Sequence, residues 1–387
     1  MSNMLLKNIG TLVSGNIASP FIHADAVLVK NGMIHEIGTL DTLETEGINT
    51  VVDCQGTTVI PGLIDTHCHP VLGDYTPKQN QTGFLQDMLQ GGCTTAVSAG
   101  EIHLPGRPTD PAGVKAMAIL AAKSYANFRP GGIKVEAGAV ILEKGLTKED
   151  FMEMAAEGVR LVGEIGLGSA KTVAEAGPMV KWAKACGMTV MMHTGGTSMP
   201  GSSSVNAQMV MDMDPDIISH INGGTTAIPI SEIEKLVKET EYPLEIVHCG
   251  NPLAAVQAMK FVLEHDALER VIIGNDAPTG TGVITLGMLR MLNFLSSLTT
   301  LKPEQAICMA SGNAARIFRL NRGEIAPGKE ADLVVMDTPV GSVGQDALSA
   351  IAAGDVPGVS MVMVDGEIKA LKSKNTAPAA HQVVIQA

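Results

Sequence analysis

Five polar residues, Glu164, His193, His220, His248 and Asp276, each close an apolar run, and successive members lie 29, 27, 28 and 28 residues apart. Imidazole and carboxylate are the side chains that bind divalent metals and move protons near neutral pH. Two more histidines, His67 and His69, stand two apart in Ile64-Asp65-Thr66-His67-Cys68-His69. On a strand that spacing turns both rings to one face, where they can grip a single ion while Cys68 faces away. Taken singly, each has an ordinary reading. A lone histidine is commonly a satisfied core residue, and Glu164, inside Val162-Gly163-Glu164-Ile165-Gly166, could pair with a buried Lys or Arg. A carboxylate in such an apolar setting needs some cation, because an unpaired buried charge is costly. Asp276, ending Ile273-Gly274-Asn275-Asp276, poses the same problem.

What would bring these residues together is a repeat of equal units. The runs LVGEIG, TVMMHT, IISHIN, EIVHCG and VIIGND alternate with helical stretches at 171–186, 231–240 and 251–266, the texture of a parallel sheet with crossover helices. A spacing near 28 is expected if each polar residue sits at the same level of successive strand-helix units. Extrapolating backward places strand ends near Ala137 and around 99–103, with His67 and His69 on the first strand, for eight strands in all. Residues 63–321 are about as long as a (β/α)8 barrel. Helix starts are marked by Thr147 with Asp150, Ser231 with Glu234, and Pro303. The predicted fold is α/β, a (β/α)8 TIM-like barrel. Its active site belongs at the carboxyl ends of the strands. On that rim His67, His69, Glu164, His193, His220 and Asp276 read together as a binuclear metal centre rather than six independent accidents.

The flanks differ in texture. Residues 1–62 and 322–387 carry short alternating segments with Asn31-Gly32 and Asp365-Gly366 between apolar runs, the dipeptides of tight hairpins. Neither flank is large enough to stand alone, so both ends are expected to form one smaller β-sandwich. The chain of 387 residues has 27 Lys+Arg against 40 Asp+Glu, a net charge of −13, with no basic run, which argues against a nucleic-acid partner. The first residues lack a basic start followed by an apolar run, no stretch is long enough to span a membrane, and the six cysteines show no C-x-x-C spacing. A cytoplasmic protein without membrane association is the expectation. Gly166-Leu167-Gly168-Ser169-Ala170-Lys171 lacks both the third glycine of a dinucleotide fingerprint and the ending of a P-loop, and no G-x-S-x-G is present.

These residues resemble the metal-dependent amidohydrolase superfamily, and Val59-Ile60-Pro61-Gly62-Leu63-Ile64-Asp65-Thr66-His67 with Gly323-Glu324-Ile325-Ala326-Pro327-Gly328-Lys329-Glu330-Ala331-Asp332-Leu333-Val334-Val335 resemble its cyclic-amide branch. The resemblance implies that His67, His69, Glu164, His193, His220 and Asp276 hold two divalent ions, Zn2+, Fe2+ or Mn2+, with Glu164 as bridge where many relatives carry a carboxylated lysine. It also implies Asp276 as the proton shuttle, a cyclic amide C–N bond as the point of attack, a carboxylated six-membered enamide as substrate, and a homo-oligomer, dimer or tetramer. Strand 7 supplies no ligand in that family, so His248 is expected near the substrate or behind the metal ligands, and His103, at the end of strand 2, likewise. Lys171, Arg107 and Lys78 are the cations at hand for a substrate carboxylate. A heterocyclic-base deaminase of the same superfamily and a metal-free structural homologue are the alternatives.

Overall fold

In the computed structural model, the described residues are 3–70, 81–101, 104, 106–197, 202–278 and 282–386. Eight parallel strands form the central barrel: β1 (Leu63–Cys68), β2 (Cys93–Ser98), β3 (Lys134–Glu136), β4 (Leu161–Ile165), β5 (Thr189–Met192), β6 (Ile217–Ile218), β7 (Leu244–Val247) and β8 (Val271–Gly274). Ladders join β1 to β3 and β4 to β8 in sequence order. Parallel bridges at Val140–Val162 and Cys68–Ala277 close the two seams. The barrel expected from the 28-residue spacing is therefore present.

Two glycines let strands approach closely at the level of the polar rim. A Cβ at Gly274 on β8 would lie 2.7 Å from the His67 Cβ, and one at Gly163 on β4 would lie 2.5 Å from the Ala99 carbonyl oxygen. Below that level Ile64, Val97, Leu161, Met191, Ile217 and Ile272 are buried together in the barrel interior. They form a dry floor, so chemistry can take place only above it. Helices pack the outside through a continuous apolar cluster.

Thr147 caps the helix Lys148–Ala156 in a reciprocal capping box with Asp150, and Pro303 opens the helix Pro303–Cys308. The Ser231 start is displaced. That helix runs Ile230–Glu239 with Pro229 at the cap position, φ −53°, because a proline has its φ already set and no N–H to leave unbonded.

The flanking segments build two five-stranded sheets, each using both ends of the chain. One runs Val384–Gln386, Thr50–Asp53, Met4–Lys7, Ala26–Lys30, Met33–Gly38; the other runs Glu367–Leu371, Gly358–Val364, Leu333–Asp337, Thr58–Pro61, Thr11–Leu12. Leu6, Val27, Val29, Val59, Val335 and Met361 are buried between them. The turn residues Asn31, Gly32, Asp365 and Gly366 all have positive φ, as two-residue hairpin turns require.

Sheet and barrel are tied by Lys134, at the start of β3. Its Nζ lies 2.6 Å from Glu330, 2.9 Å from Asp332 and 2.7 Å from Asp365. Among the described residues no helix is long and apolar enough to cross a membrane.

Candidate metal centre

The ends of β1, β4, β5, β6 and β8 bring His67, His69, Glu164, His193, His220 and Asp276 into one buried cluster. All six are at most 6 % exposed. His67 Nε2 is 3.5 Å from Glu164 Oε2 and 3.7 Å from Asp276 Oδ1. His69 Nε2 is 3.8 Å and 3.3 Å from the same two oxygens. On the other side, His220 Nε2 approaches Glu164 Oε1 to 2.5 Å and His193 Nδ1 to 3.1 Å, while His193 Nδ1 stands 3.9 Å from Glu164 Oε1. Glu164 thus faces two histidine pairs, one with each oxygen. Potential donor atoms of His67, His69 and Glu164, of His67, His220 and Asp276, and of Glu164, His193 and His220 each lie within 4.8 Å of one another. Two of these residues, His220 at φ 32° and Asp276 at φ 59°, hold positive φ, a strained backbone of the kind that gathers at functional sites.

Among the described residues, charge in the cluster is balanced only by imidazole. Burial works to raise Glu164, but His220 and His67 overrule it and hold the carboxyl well below its usual range. Burial likewise opposes ionisation of Asp276, and His67, His69 and His220 hold it low. The counterpart is His67: burial would lower it, yet Glu245, Glu164 and Asp276 push it well above the ordinary imidazole value. His193, desolvated and beside His220, drops to about 4. Buried His67 Nε2 and Glu164 Oε1 make no hydrogen bond among the described residues. Buried nitrogen and oxygen donors aimed at one another, with no Lys or Arg among them, fit divalent cations of borderline hardness.

A second tier orients the rings. His69 Nδ1 donates to the Gly100 carbonyl at 2.9 Å. His67 Nδ1 donates to Glu245 Oε2 at 2.7 Å, and Asp65 accepts the backbone N–H groups of His67 and Asn275 at 3.1 and 2.8 Å. Burial raises Asp65 to about 7. Glu245 went unnoticed in the sequence although Leu244-Glu245-Ile246-Val247 buries an acid in an apolar strand just as the Glu164 run does.

The residues assigned to substrate fare differently. His248 is not brought to the cluster. With Glu245 on the inner face of β7, alternation turns Ile246 and His248 outward, and His248 lines a crevice with Arg290 between the helices Pro252–Glu264 and Gly287–Leu298. Burial and the Arg290 charge lower it to about 4. Arg107 forms an ion pair with buried Glu143 at 2.9 Å, so its charge is already matched. Lys171 precedes the helix Val173–Ala185 and its backbone N–H donates to Glu175. His103 and Lys78 lie outside the described residues.

Residues 58–369 match the amidohydrolase family. The chain belongs to that family. Among amidohydrolases it is 54 % identical to enamidase of Eubacterium barkeri over 379 residues, 98 % of each chain. A crystal structure of enamidase superposes with a TM-score of 0.97 at 53 % identity, covering 100 % of both chains. A more distant relative, imidazolonepropionase of Acinetobacter baumannii, is 24 % identical across 85 % of this chain and 91 % of its own.

Proposed function

We propose that this amidohydrolase opens the ring of a cyclic enamide by hydrolysing its amide C–N bond, the substrate being a six-membered ring that carries a carboxylate. The observation that carries this reading is the 54 % identity to enamidase over nearly the full length of both chains. The buried six-residue cluster described above is consistent with it.

Two divalent ions, Zn2+, Fe2+ or Mn2+, would be held by His67, His69, Glu164, His193, His220 and Asp276, with Glu164 between them. When bound, such ions make water a better nucleophile at neutral pH and polarise an amide carbonyl. The chain's own contribution is positioning and proton movement. Asp276 accepts the proton of the attacking water and delivers it to the ring nitrogen as the C–N bond breaks, one carboxylate serving as base and then as acid. The freed enamine tautomerises to an imine, and a second water releases ammonia and leaves an aldehyde. The apolar floor beneath the rim leaves the ring only the side of the cluster at the carboxyl ends of the strands. A cation, Lys171 or an Arg107 released from its ion pair with Glu143, is assigned to the ring carboxylate. A cytoplasmic homo-oligomer, dimer or tetramer, completes the reading; all six cysteines are free thiols.

The test is mass spectrometry of products from cyclic enamides, imides and lactams incubated with metal-replete protein. Ring opening adds water across the C–N bond and, for an enamide, yields ammonia with an open-chain aldehyde. Ammonia release from a product whose ring is intact would instead make the protein a deaminase. Replacing the cation that holds the carboxylate with Met should raise KM for the carboxylated ring far more than for its neutral amide. An unchanged ratio in both the Arg107→Met and Lys171→Met variants removes these two from the assignment.

A further inference from the structure

We propose that Glu245, on a barrel strand that offers no metal ligand, is the positioning residue that sets both halves of the metal centre at once. This rests on the metal-centre reading above. Glu245 is fully buried, and an ionised carboxylate can only accept hydrogen bonds. Its Oε2 accepts from His67 Nδ1 at 2.7 Å and from the His220 backbone N–H at 3.2 Å, and its Oε1 accepts from the Thr66 hydroxyl at 2.6 Å. These three donors come from β1 and from the end of β6.

Two consequences follow from the atoms involved. Because Glu245 holds a proton on His67 Nδ1, the nitrogen free to give up its proton and offer a lone pair to a metal is Nε2, which looks toward Glu164 and Asp276. At His220 the grip is on the backbone, which stands at φ 32°; the bond from its N–H helps hold a conformation a histidine would not keep unaided. His67 belongs to the His69 and Asp276 side of the cluster, and His220 to the His193 side. One carboxylate therefore fixes a ring on one side and a chain segment on the other. Losing a ligand such as His69 or His193 should loosen chiefly the ion it touches, whereas losing Glu245 should loosen both.

The experiment strips the full-length protein with a chelator and titrates it with Zn2+ alone against a competing chelating dye, and with Co2+ alone by visible absorption. Wild type, Glu245→Ala, Glu245→Gln, His69→Ala and His193→Ala are compared. Wild type is expected to take up two ions. Glu245→Ala should weaken both by about 10- to 100-fold, the usual effect of losing a carboxylate behind a ligating histidine. Glu245→Gln keeps the shape and can keep the bonds to His67 and His220, so it should recover most of the affinity while shifting the Co2+ spectrum. If Glu245→Ala fails to fold, Glu245→Gln decides by that spectrum. Should wild type bind two ions while Glu245→Ala titrates like it or loses only one, or, where that variant does not fold, while Glu245→Gln leaves the Co2+ spectrum unshifted, the role of Glu245 is overturned and the metal centre stands. A wild-type protein that binds no Zn2+ or Co2+ would overturn the metal centre itself.

Discussion

Two regions of this molecule gather acids out of water, and they resolve the same electrostatic problem in opposite ways. Beside β3, donor atoms of Glu330, Asp332 and Asp365 lie within 4.8 Å of one another, and the chain fills that space with its own Lys134. Arg322 adds a bond to Glu330 at 2.9 Å and Arg129 pairs with Asp365. At the rim, Glu164, Asp276 and Glu245 are all buried, as Asp332 is, yet among the described residues only imidazoles form ion pairs with them. An ammonium is charged wherever it is placed near acids, so the Lys134 cluster is complete as folded. An imidazole is a cation or a ligand depending on what arrives. Acid density alone therefore does not mark a metal site; what marks it is acids whose only partners can exchange a proton for a metal.

That contrast can be broken from either side. The largest effect is expected from Asp276→Asn, which should cut kcat by about 10³-fold or more while leaving most of the metal in place. Near-normal turnover at full metal content would move the proton shuttle elsewhere. In the other cluster, Lys134→Met removes the one cation that touches all three acids and leaves buried Asp332 without an ion pair, which should cost about 3–5 kcal/mol in urea unfolding. Activity per folded molecule should change less than about 2-fold, since the floor and rim are untouched.

Metal withdrawal sharpens the comparison. Chelation should lower thermal stability by about 2–3 kcal/mol for each ion removed, relative to protein held at 100 times each dissociation constant. That response should survive in Lys134→Met and shrink in Glu164→Ala, which should retain fewer ions per chain by elemental analysis than wild type. A fully loaded, active Glu164→Ala enzyme would remove Glu164 from the centre.

The smallest effect concerns acid. Lys134 and Arg129 outweigh burial and hold Asp365 below its ordinary value. Its folded pKa thus lies below the unfolded one, so its contribution is present above pH ~4 and is lost as pH falls through the depressed value. Asp365→Asn should destabilise by about 1 kcal/mol at pH 7, a partly exposed pair being worth little more. The gap from wild type should close in acid; a gap that widens there would contradict the assignment.

Much of this was legible without coordinates because periodicity survives folding. Equal strand-helix units put Glu164, His193, His220 and Asp276 on one rim, and Asn31-Gly32 and Asp365-Gly366 marked the hairpins. The same periodicity misled at His248, since a spacing of 28 fixes the level on the barrel but not the face, and a shift of one residue exchanges inside for outside. Glu245 sits three residues earlier, on the inner face, and its partners Thr66, His67 and His220 are distant in sequence, so no local pattern announces it. Arg107 follows a strand end in the sequence, which offers it as a cation for the substrate; that Glu143 is there to neutralise it depends on two loops meeting.

One topological fact bears on synthesis. The strand Thr58–Pro61 sits inside its sheet only because Leu333–Asp337 pairs with it, and roughly 270 residues separate the two. At about 5–20 residues per second, Val59 and Ile60 emerge on the order of 15 to 50 s before their neighbour exists. During that interval the nascent chain presents an apolar strand with an open edge, the geometry most prone to pairing with a stranger. The molecule is thus most vulnerable not at its catalytic rim but in the half-built sheet that waits for the chain's last segment, and pulse-labelled ribosome-bound chains should be most susceptible to protease there until residues 333–337 have left the tunnel.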